Sequence, residues 1–212
     1  MNNVNIMLKN VRCHYPEFFR DRTFQEADGS ISTQAPGAKF LLDPDEPEHA
    51  ALIGQIKHAI SGICAANNPR KGEDGKGKLL PPDQFALRDG SLTTRDELDG
   101  LWFVSANAQK GKPPFVLDPV DPTKRIEHAH EQTKPIYNGC RVNARVRLWW
   151  QPQTTGRAAR VNAQLVAVQW AGDDEPIGGG VQTTAQAAEG FSPTLDPTEG
   201  GHWGGDEEAA EF

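Results

Sequence analysis

The feature that most constrains the fold is a pair of apolar-rich segments separated by a short polar turn. In RVNARVRLWW (Arg141–Trp150), every second residue is apolar, and VNAQLVAVQW (Val161–Trp170) follows after a turn that starts with Gln151–Gly156. A period of two places apolar side chains on one face of a strand and polar side chains on the other. The two segments therefore predict an antiparallel hairpin with one buried face.

Other segments add strands and one helix. Further strands are expected at Val4–Tyr15, Lys39–Leu42 and Leu101–Ala108. Pro47–Ala66 is predicted to be helical, because apolar residues recur there at helical spacing and Asn67-Asn68-Pro69 ends the pattern. Those apolar residues are Leu52, Ile53, Ile56, Ile60 and Ile63.

Long polar connections join these elements. They are Gln25–Gly37, Arg70–Lys78 and Pro113–Pro135. About five strands, one inserted helix and long loops predict a mainly β chain, either a small antiparallel barrel, closed or partly closed, or an α+β sandwich. The pattern by itself fits both architectures.

Charge is distributed unevenly along the chain. The net charge is −7, yet all 22 Lys and Arg lie at or before Arg160. Residues 1–160 sum to +3 and residues 161–212 to −10. A basic body with an acidic tail is typical of proteins that contact nucleic acid through the body.

The outward face of the first hairpin strand is the main candidate site. It carries Arg141, Asn143, Arg145, Arg147 and Trp149, and Tyr137 and Arg160 extend it. The arginines by themselves could simply form a solvated sheet face. A large exposed indole, however, favours a binding surface, because exposed apolar patches often mark ligand sites. Guanidinium groups paired with phosphates, and bases stacked on the indole, would suit single-stranded nucleic acid.

The segment RKGEDGKGK (Arg70–Lys78) is a second candidate. It places Lys71, Lys76 and Lys78 among glycines, as expected for a mobile arm that closes over a bound strand. It lacks the order of residues of a nucleotide-binding P-loop. An ordinary solvated loop is the simpler interpretation of this segment alone.

Motifs for other classes of protein are missing from the sequence. There is no G-x-S-x-G, and Cys13, Cys64 and Cys140 are far apart, which favours buried free thiols over a disulfide or zinc site. No cofactor, no metal and no enzymatic activity are therefore expected. The first residues resemble no signal peptide, and no apolar run approaches a membrane span, so a cytoplasmic protein without membrane contact is expected.

The end of the chain differs from the rest. Residues 179–212 lack periodicity and are predicted to form a disordered tail, separate from a body of residues 1–178. The tail ends in GGDEEAAEF, in which an aromatic residue follows four acids. These residues are Asp206, Glu207, Glu208, Glu211 and Phe212. An acidic peptide with an apolar end suits a basic pocket, on this protein or on a partner.

Several segments together resemble the single-stranded DNA-binding proteins of bacteriophages, which have an OB-fold body and an acidic tail ending in Phe. The resemblance covers most of the chain. It rests on NVRCHYPEFF (Asn10–Phe19), LRDG (Leu87–Gly90), WFVSANA (Trp102–Ala108), IYNGCRVNARVRLWW (Ile136–Trp150), VNAQLVAVQW (Val161–Trp170), PIGGG (Pro176–Gly180) and the Phe212 end.

The resemblance implies an OB-fold-like barrel that binds single-stranded DNA without sequence specificity, in replication, recombination and repair. It implies that the tail recruits DNA polymerase or other replication proteins and competes with DNA for the groove. It places Arg141, Arg145, Arg147 and Trp149 in a strand that contributes to the groove. Arg12, Tyr15 and Arg88 match by position, either as DNA contacts or as supports of the barrel.

Two other functions stay open at the level of sequence. The carboxylate clusters Asp43–Glu48, Asp96–Asp99 and Asp173–Glu175 would suit a metal-dependent nuclease or recombination factor, although each lies at a turn where Asp is common. A protein-interaction module would use the arginines and Trp149 against an acidic partner. The sequence does not determine the oligomeric state, a homodimer being one option. The expected location is the cytoplasm of the infected bacterial host.

Overall fold

The computed structural model describes residues 3–25, 29–67 and 80–178. They belong to one compact unit, Met1–Gly179. The first strands are β1 (Val4–Glu17), β2 (Arg22–Gln25), β3 (Ile31–Gln34), β4 (Gly37–Leu42) and β5 (Leu87–Asp89). The later strands are β6 (Trp102–Asn107), β7 (Phe115–Leu117), β8 (Arg125–Ile126), β9 (Arg141–Gln151) and β10 (Arg160–Gly172), and the α-helix is α1 (Pro47–Asn67).

Five of these strands close into a barrel. The neighbours run β6-β4-β1-β9-β10, and β10 returns to pair with β6, in parallel, through Ala163 opposite Ala106. The other pairs of the barrel are antiparallel. This is the closed five-stranded arrangement of an OB-fold. The expected OB-fold-like barrel is therefore confirmed, and the α+β sandwich is not what forms.

The β9–β10 hairpin forms as the alternation predicts. Val142, Ala144, Val146 and Leu148 of β9 are fully buried, while the arginines between them face outward. Trp150 is half-buried and packs against the same core. Because the alternating apolar set faces the barrel interior, the basic set is directed away from it.

Strand β1 bends and thereby pairs with two strands, β9 and β4. It pairs with β9 from Val4 to Arg12 and with β4 from Arg12 to Glu17. The register shifts between Leu8 and Val11, around Asn10, whose φ is 52°. Asn tolerates this left-handed conformation better than most residues, so it permits the bulge that lets one strand close the barrel.

Helix α1 packs against the barrel core. In the chain it lies between β4 and β6, the second and third strands of the barrel. Its buried face consists of His49 and four isoleucines, Ile53, Ile56, Ile60 and Ile63. The isoleucines join the same apolar cluster as β1, β4 and β9. Burying one such side chain contributes roughly 1.5–3 kcal/mol, so the helix is held by packing. The helix predicted at Pro47–Ala66 is confirmed.

Several short strands lie where only connections were expected. Strand β2 ends at the first residue of Gln25–Gly37, which was expected to be a loop or a wide hairpin connection, and β3 lies within it; β7 and β8 lie within Pro113–Pro135. Strand β5 adds to the barrel edge beside β6. These strands have only two to four residues, so their pairing depends on neighbours rather than on an alternating pattern.

Two expectations remain, one for the cysteines and one for the tail. Cys13, Cys64 and Cys140 are free, and Cys13 and Cys140 are buried, but Cys64 is only half-buried. The predicted tail, residues 179–212, lies outside the described residues, so its predicted disorder and the boundary at residue 178 stay predictions. No helix in the described part of the chain is long and apolar enough to cross a membrane.

Candidate nucleic-acid interface

A cleft of about 520 Å³ opens at the C-terminal end of β9. Trp149 and Arg147 reach it from β9, and Arg160 and Asn162 reach it from β10. Arg88 of β5 and Asp83 lie on the other side. We call this space the Trp149 cleft. Four of the DNA-binding residues predicted from the sequence, Arg88, Arg147, Trp149 and Arg160, therefore line one cavity.

A second cleft of about 900 Å³ lies farther along the same side of the barrel. We call it the Tyr15 cleft. Its charged and aromatic lining comprises Tyr15, Glu17, Arg20, Asp21, Arg22, Lys39 and Arg95. Ser105 and Asn107 of β6 line both clefts, so the two clefts adjoin along this strand. We call the two clefts together the groove.

The floor of the groove is built by β4 and β6. Lys39 of β4 lies opposite Ser105, and Gly37 lies opposite Asn107. The guanidinium of Arg22 donates hydrogen bonds to the Ala35 carbonyl and to the Asn107 side chain, which ties the β2–β3 hairpin to this floor. The second and third strands of an OB-fold barrel form its usual ligand face, flanked by the loops that follow strands 1 and 4.

The groove concentrates positive charge. Seven Lys and Arg line the two clefts against three acids, Glu17, Asp21 and Asp83. The seven are Arg20, Arg22, Lys39, Arg88, Arg95, Arg147 and Arg160. Such a strip attracts a polyanion and raises its local concentration.

Burial and neighbouring positive charges lower the pKa values of two of these cations, Lys39 and Arg88. The pKa of Lys39 is lowered, first by burial and then by the nearby charges of Arg95, Arg88 and Arg22. The pKa of Arg88 is lowered by burial and by Arg160. Repulsion among neighbouring cations costs folding free energy, and a bound polyanion would relieve it.

Tyr15 presents an aromatic ring to its cleft from a constrained backbone. Its φ is 51°, which is uncommon for a bulky residue, and 46% of its surface is exposed. The Tyr15 N–H donates to Asn138 Oδ1 at 2.9 Å. The Arg95 guanidinium donates to the Tyr15 hydroxyl at 2.9 Å and lies 5.2 Å from the ring centroid. Strained residues of this kind are concentrated at binding sites.

The other end of the β9 stripe has a different environment. Arg141 Nε donates to Asp174 Oδ2 at 2.7 Å, and Arg12 Nε lies 3.7 Å from the same oxygen. The Tyr137 hydroxyl donates to the Asp174 carbonyl at 2.8 Å. We call Arg12, Tyr137, Arg141 and Asp174 the Asp174 clamp. Gly139 has a φ of 109° and touches Glu175 and Pro176, where a Cβ would clash.

The clamp sets the ionisation of its carboxylate. Burial raises the pKa of Asp174, but hydrogen bonds from the Glu175 N–H and the Arg141 side chain, with the charges of both arginines, outweigh it and the pKa is lowered. Three residues predicted to bind DNA, Arg12, Tyr137 and Arg141, thus have partners within the protein, and their contact with DNA stays a prediction.

The middle of the stripe lies between these two environments. Asn143 Oδ1 accepts a hydrogen bond from the Asn10 N–H at 3.0 Å. Arg145 is exposed and lines neither cleft. Lys71, Lys76 and Lys78 lie outside the described residues, as do Asp206, Glu207, Glu208, Glu211 and Phe212 of the tail.

Sequence reasoning missed four groove residues, Arg20, Arg22, Lys39 and Arg95. A signal existed for Lys39, because it alternates with buried Ala38 and Phe40 in β4. Arg20, Arg22 and Arg95 come from irregular or short segments, where no periodicity indicates which face a side chain takes.

The carboxylate clusters that suggested a nuclease are used locally. Asp43 Oδ1 accepts the N–H of Asp45, and Asp99 Oδ1 accepts that of Gly100. Asp174 belongs to the clamp. Over residues 3–25, 29–67 and 80–178, no group of three or more His, Cys, Asp and Glu is arranged to hold a metal ion.

Comparison with known families gives the relationship. The family model described as the ssDNA-binding protein of Enterobacter phage Enc34 matches residues 4–199. The chain belongs to this family. The resemblance to phage single-stranded DNA-binding proteins is thereby confirmed.

Solved structures agree with this assignment. The single-stranded DNA-binding protein of bacteriophage Enc34 in complex with ssDNA is 26% identical, with a TM-score of 0.62 over 82% of this chain and 89% of that chain. The same protein without a named ligand gives 27% identity and a TM-score of 0.58, over 86% and 89%.

A more distant structure agrees in fold. The single-stranded DNA-binding protein gp2.5 of bacteriophage T7 is 14% identical, with a TM-score of 0.53 over 92% and 98% of the two chains. At that identity the likeness concerns the fold alone. No curated protein matches this sequence significantly.

Proposed function

We propose that this chain binds single-stranded DNA along the groove formed by the Trp149 and Tyr15 clefts. It would coat strands of any sequence during phage replication, recombination and repair, in the cytoplasm of the infected cell. The observation that carries the proposal is the groove itself, in which seven cations accompany aromatic rings in both clefts. The Tyr15 ring is exposed, whereas Trp149, which the sequence predicts to be exposed, is half-buried and lines its cleft together with half-buried Phe85.

The chemistry of the lining favours a single strand. Guanidinium groups form bidentate hydrogen bonds with phosphate oxygens, independently of the base. Stacking on Trp149 and Tyr15 requires bases whose faces are free, as they are in a single strand. The two rings, joined by the floor residues Ser105 and Asn107, offer two separate stacking positions.

Titration of a labelled oligo-dT of ~30 nucleotides, followed by fluorescence anisotropy at low and moderate salt, tests the proposal. A matched duplex is the control. Tight, salt-sensitive binding of the single strand and weak binding of the duplex are expected. Absence of binding at low salt, by the full chain and by a chain ending at Gly178, would refute the proposal.

The proposal extends to the tail. Residues 179–212 carry seven acids and no Lys or Arg, so they would compete with DNA for the groove and recruit replication proteins such as DNA polymerase. Ending the chain at Gly178 should then tighten oligo-dT binding, most clearly at low salt, where charge repulsion is least screened. Equal affinity of the two chains would contradict the competition.

We also propose that binding is the whole activity, with no catalysis. The described acids near the groove are few, and the clusters of the sequence are used in turns and in the clamp. Incubation of a single strand with the protein and Mg²⁺ should leave the strand intact. Loss of full-length strand that EDTA prevents would favour the nuclease instead.

A further inference from the structure

We propose that the Trp149 cleft is a base-recognition subsite that favours guanine. This inference rests on the proposed function and deepens it, because it adds a preference at one position of a strand that is otherwise bound without regard to sequence.

The lining of the cleft is richer in hydrogen-bond acceptors than phosphate binding requires. Besides its arginines and Trp149, it carries a carboxylate and six carboxamides. They belong to Asp83, Asn3, Gln84, Asn107, Gln109, Asn162 and Gln164. Phosphate oxygens only accept hydrogen bonds, so side-chain oxygens gain nothing from a phosphate. They can bind a base edge, which carries N–H donors.

Most of these groups are available to a ligand. In the described part of the chain, the side chains of Gln84, Gln109 and Gln164 make no hydrogen bond. Asn162 donates to Gln151 Oε1 at 2.8 Å, which leaves the Asn162 oxygen available. Arg160 also lines the cleft, although its Nε is buried and has no partner in the described part of the chain.

Among the bases, guanine pairs best with a cleft that offers both arginine donors and side-chain acceptors. Its N7 and O6 accept from Arg, the commonest specific contact to a base, and here Arg88, Arg147 and Arg160 supply the guanidinium groups. Its opposite edge carries N1–H and a 2-amino group, both donors, for which Asp83 is an acceptor. Thymine has two carbonyls but a single N–H, so it leaves Asp83 or the amides less well paired.

The neighbouring Tyr15 cleft provides an internal contrast. Among its described lining residues are two carboxamides, Gln34 and Asn107, against six in the Trp149 cleft; Asn107 is shared by both clefts and receives the Arg22 guanidinium. The Tyr15 cleft also holds two carboxylates, Glu17 and Asp21, of which Glu17 accepts from Arg20 at 2.8 Å, so it offers fewer amide groups to a base edge. At about 520 Å³, the Trp149 cleft lies within the size range of small-molecule sites. Trp149 supplies the stacking face for the base.

The test uses short oligo-dT strands, near the length of the binding site, that carry one central substitution. They compete with labelled oligo-dT for the full-length protein. The strand with a single guanine should compete at a concentration roughly fivefold lower than oligo-dT. Inosine, which lacks the 2-amino group, and 7-deazaguanine, which lacks N7, should each lose part of that advantage. Equal competition by all strands would overturn the subsite.

A pair of variants assigns the effect to the cleft. In Asp83→Asn, the guanine advantage should fall, while oligo-dT binding should tighten because a negative charge leaves the groove. Asp45→Asn removes an exposed carboxylate that lines neither cleft, and should keep the wild-type advantage. A guanine advantage that survives Asp83→Asn unchanged would refute the role of Asp83.

Failure of the inference and failure of the proposed function are distinguishable. If oligo-dT binds tightly and guanine adds nothing, only the subsite is wrong. If oligo-dT does not bind at all, the proposed function is wrong and the subsite falls with it.

Discussion

Arg141 and Arg147 lie on the same face of β9, six residues apart, and have different surroundings. Arg141 donates to Asp174 at 2.7 Å in the Asp174 clamp, among other intramolecular partners. Arg147 makes one long hydrogen bond, 3.4 Å to Asn5 Oδ1, and lines the Trp149 cleft. The two arginines differ because several acceptor groups of the protein surround Arg141, whereas Arg147, within the described residues, hydrogen-bonds only to the Asn5 side chain.

This difference explains how one basic stripe can serve two purposes. At the clamp, a carboxylate and several carbonyls satisfy two arginines, so the charge stabilises the fold. In the groove, seven cations face three acids; Arg20 pairs with Glu17 and Arg95 lies near Glu97, and the excess of positive charge that remains is available to a ligand. Substitutions at the clamp should therefore change stability, and substitutions in the groove should change affinity.

The largest effect is expected at the groove end. Trp149→Ala should weaken oligo-dT binding by about 1–3 kcal/mol, the usual cost of losing one stacked base, with little change in its salt dependence. Anisotropy titrations at several salt concentrations measure both quantities. Trp170→Ala, at a tryptophan outside both clefts that packs against the core, should instead lower stability. If Trp149→Ala unfolds the protein, Trp149 is a core residue and the comparison fails.

The clamp end should show the opposite pattern. Arg141→Ala should lower the free energy of unfolding by about 1–2 kcal/mol, because it removes a charged hydrogen bond between partly exposed groups. Urea unfolding measures this change, and a double-mutant cycle with Asp174→Ala should show coupling between the two residues. Loss of affinity without loss of stability would place Arg141 in the DNA interface.

The salt dependence of binding tests where the groove ends. Each phosphate contact contributes roughly 0.7 to the slope of log K against log salt for a single strand. Lys39→Gln should reduce the slope by about that amount. Arg145→Gln, at an exposed position outside both clefts, extends the test to the middle of the stripe. A reduced slope there as well would show that DNA continues onto the outer face, as the sequence predicts, and an unchanged slope would confine it to the groove.

The smallest effect concerns acid sensitivity near Asn138, which accepts the N–H of the groove residue Tyr15 and directly follows Tyr137 of the clamp in sequence. His14 Nδ1 lies 2.9 Å from Asn138 Oδ1, and burial lowers the pKa of His14, against the opposing effect of that hydrogen bond. Because the folded pKa is lowered, the stability from neutral His14 is complete above the unfolded value, near ~6.5, and is lost as the pH falls below it.

Urea unfolding at pH 7.5 and pH 5.5 measures that dependence. The wild-type protein should lose stability at the lower pH, and His14→Gln should lose less. His58→Gln, at an exposed helix position, serves as the matched control and should behave as wild type. An equal loss in His14→Gln would remove His14 as the cause.

Much of the fold was predictable because local patterns decide it. Alternation in Arg141–Trp150 predicted which residues of β9 are buried, and the isoleucines predicted α1 within one residue of its bounds. The β2–β3 hairpin, β5, β7 and β8 were not predicted. Each of these strands has only two to four residues, too few for an alternating pattern to mark it, and β7 also pairs with distant β10.

The sequence by itself determined a mainly β chain with one helix, the basic outward face of β9 and the separation of a basic body from acidic residues 161–212. Its patterns fitted both a barrel and an α+β sandwich. Periodicity and composition are properties of neighbouring residues, so these features can be predicted from the sequence alone. Only the tertiary structure decided which arginines are available to a ligand. That choice depends on where Asp174 and its neighbouring carbonyls come to lie, and on the closure that brings Arg88 of β5 into one cleft with Arg147 of β9 and Arg160 of β10.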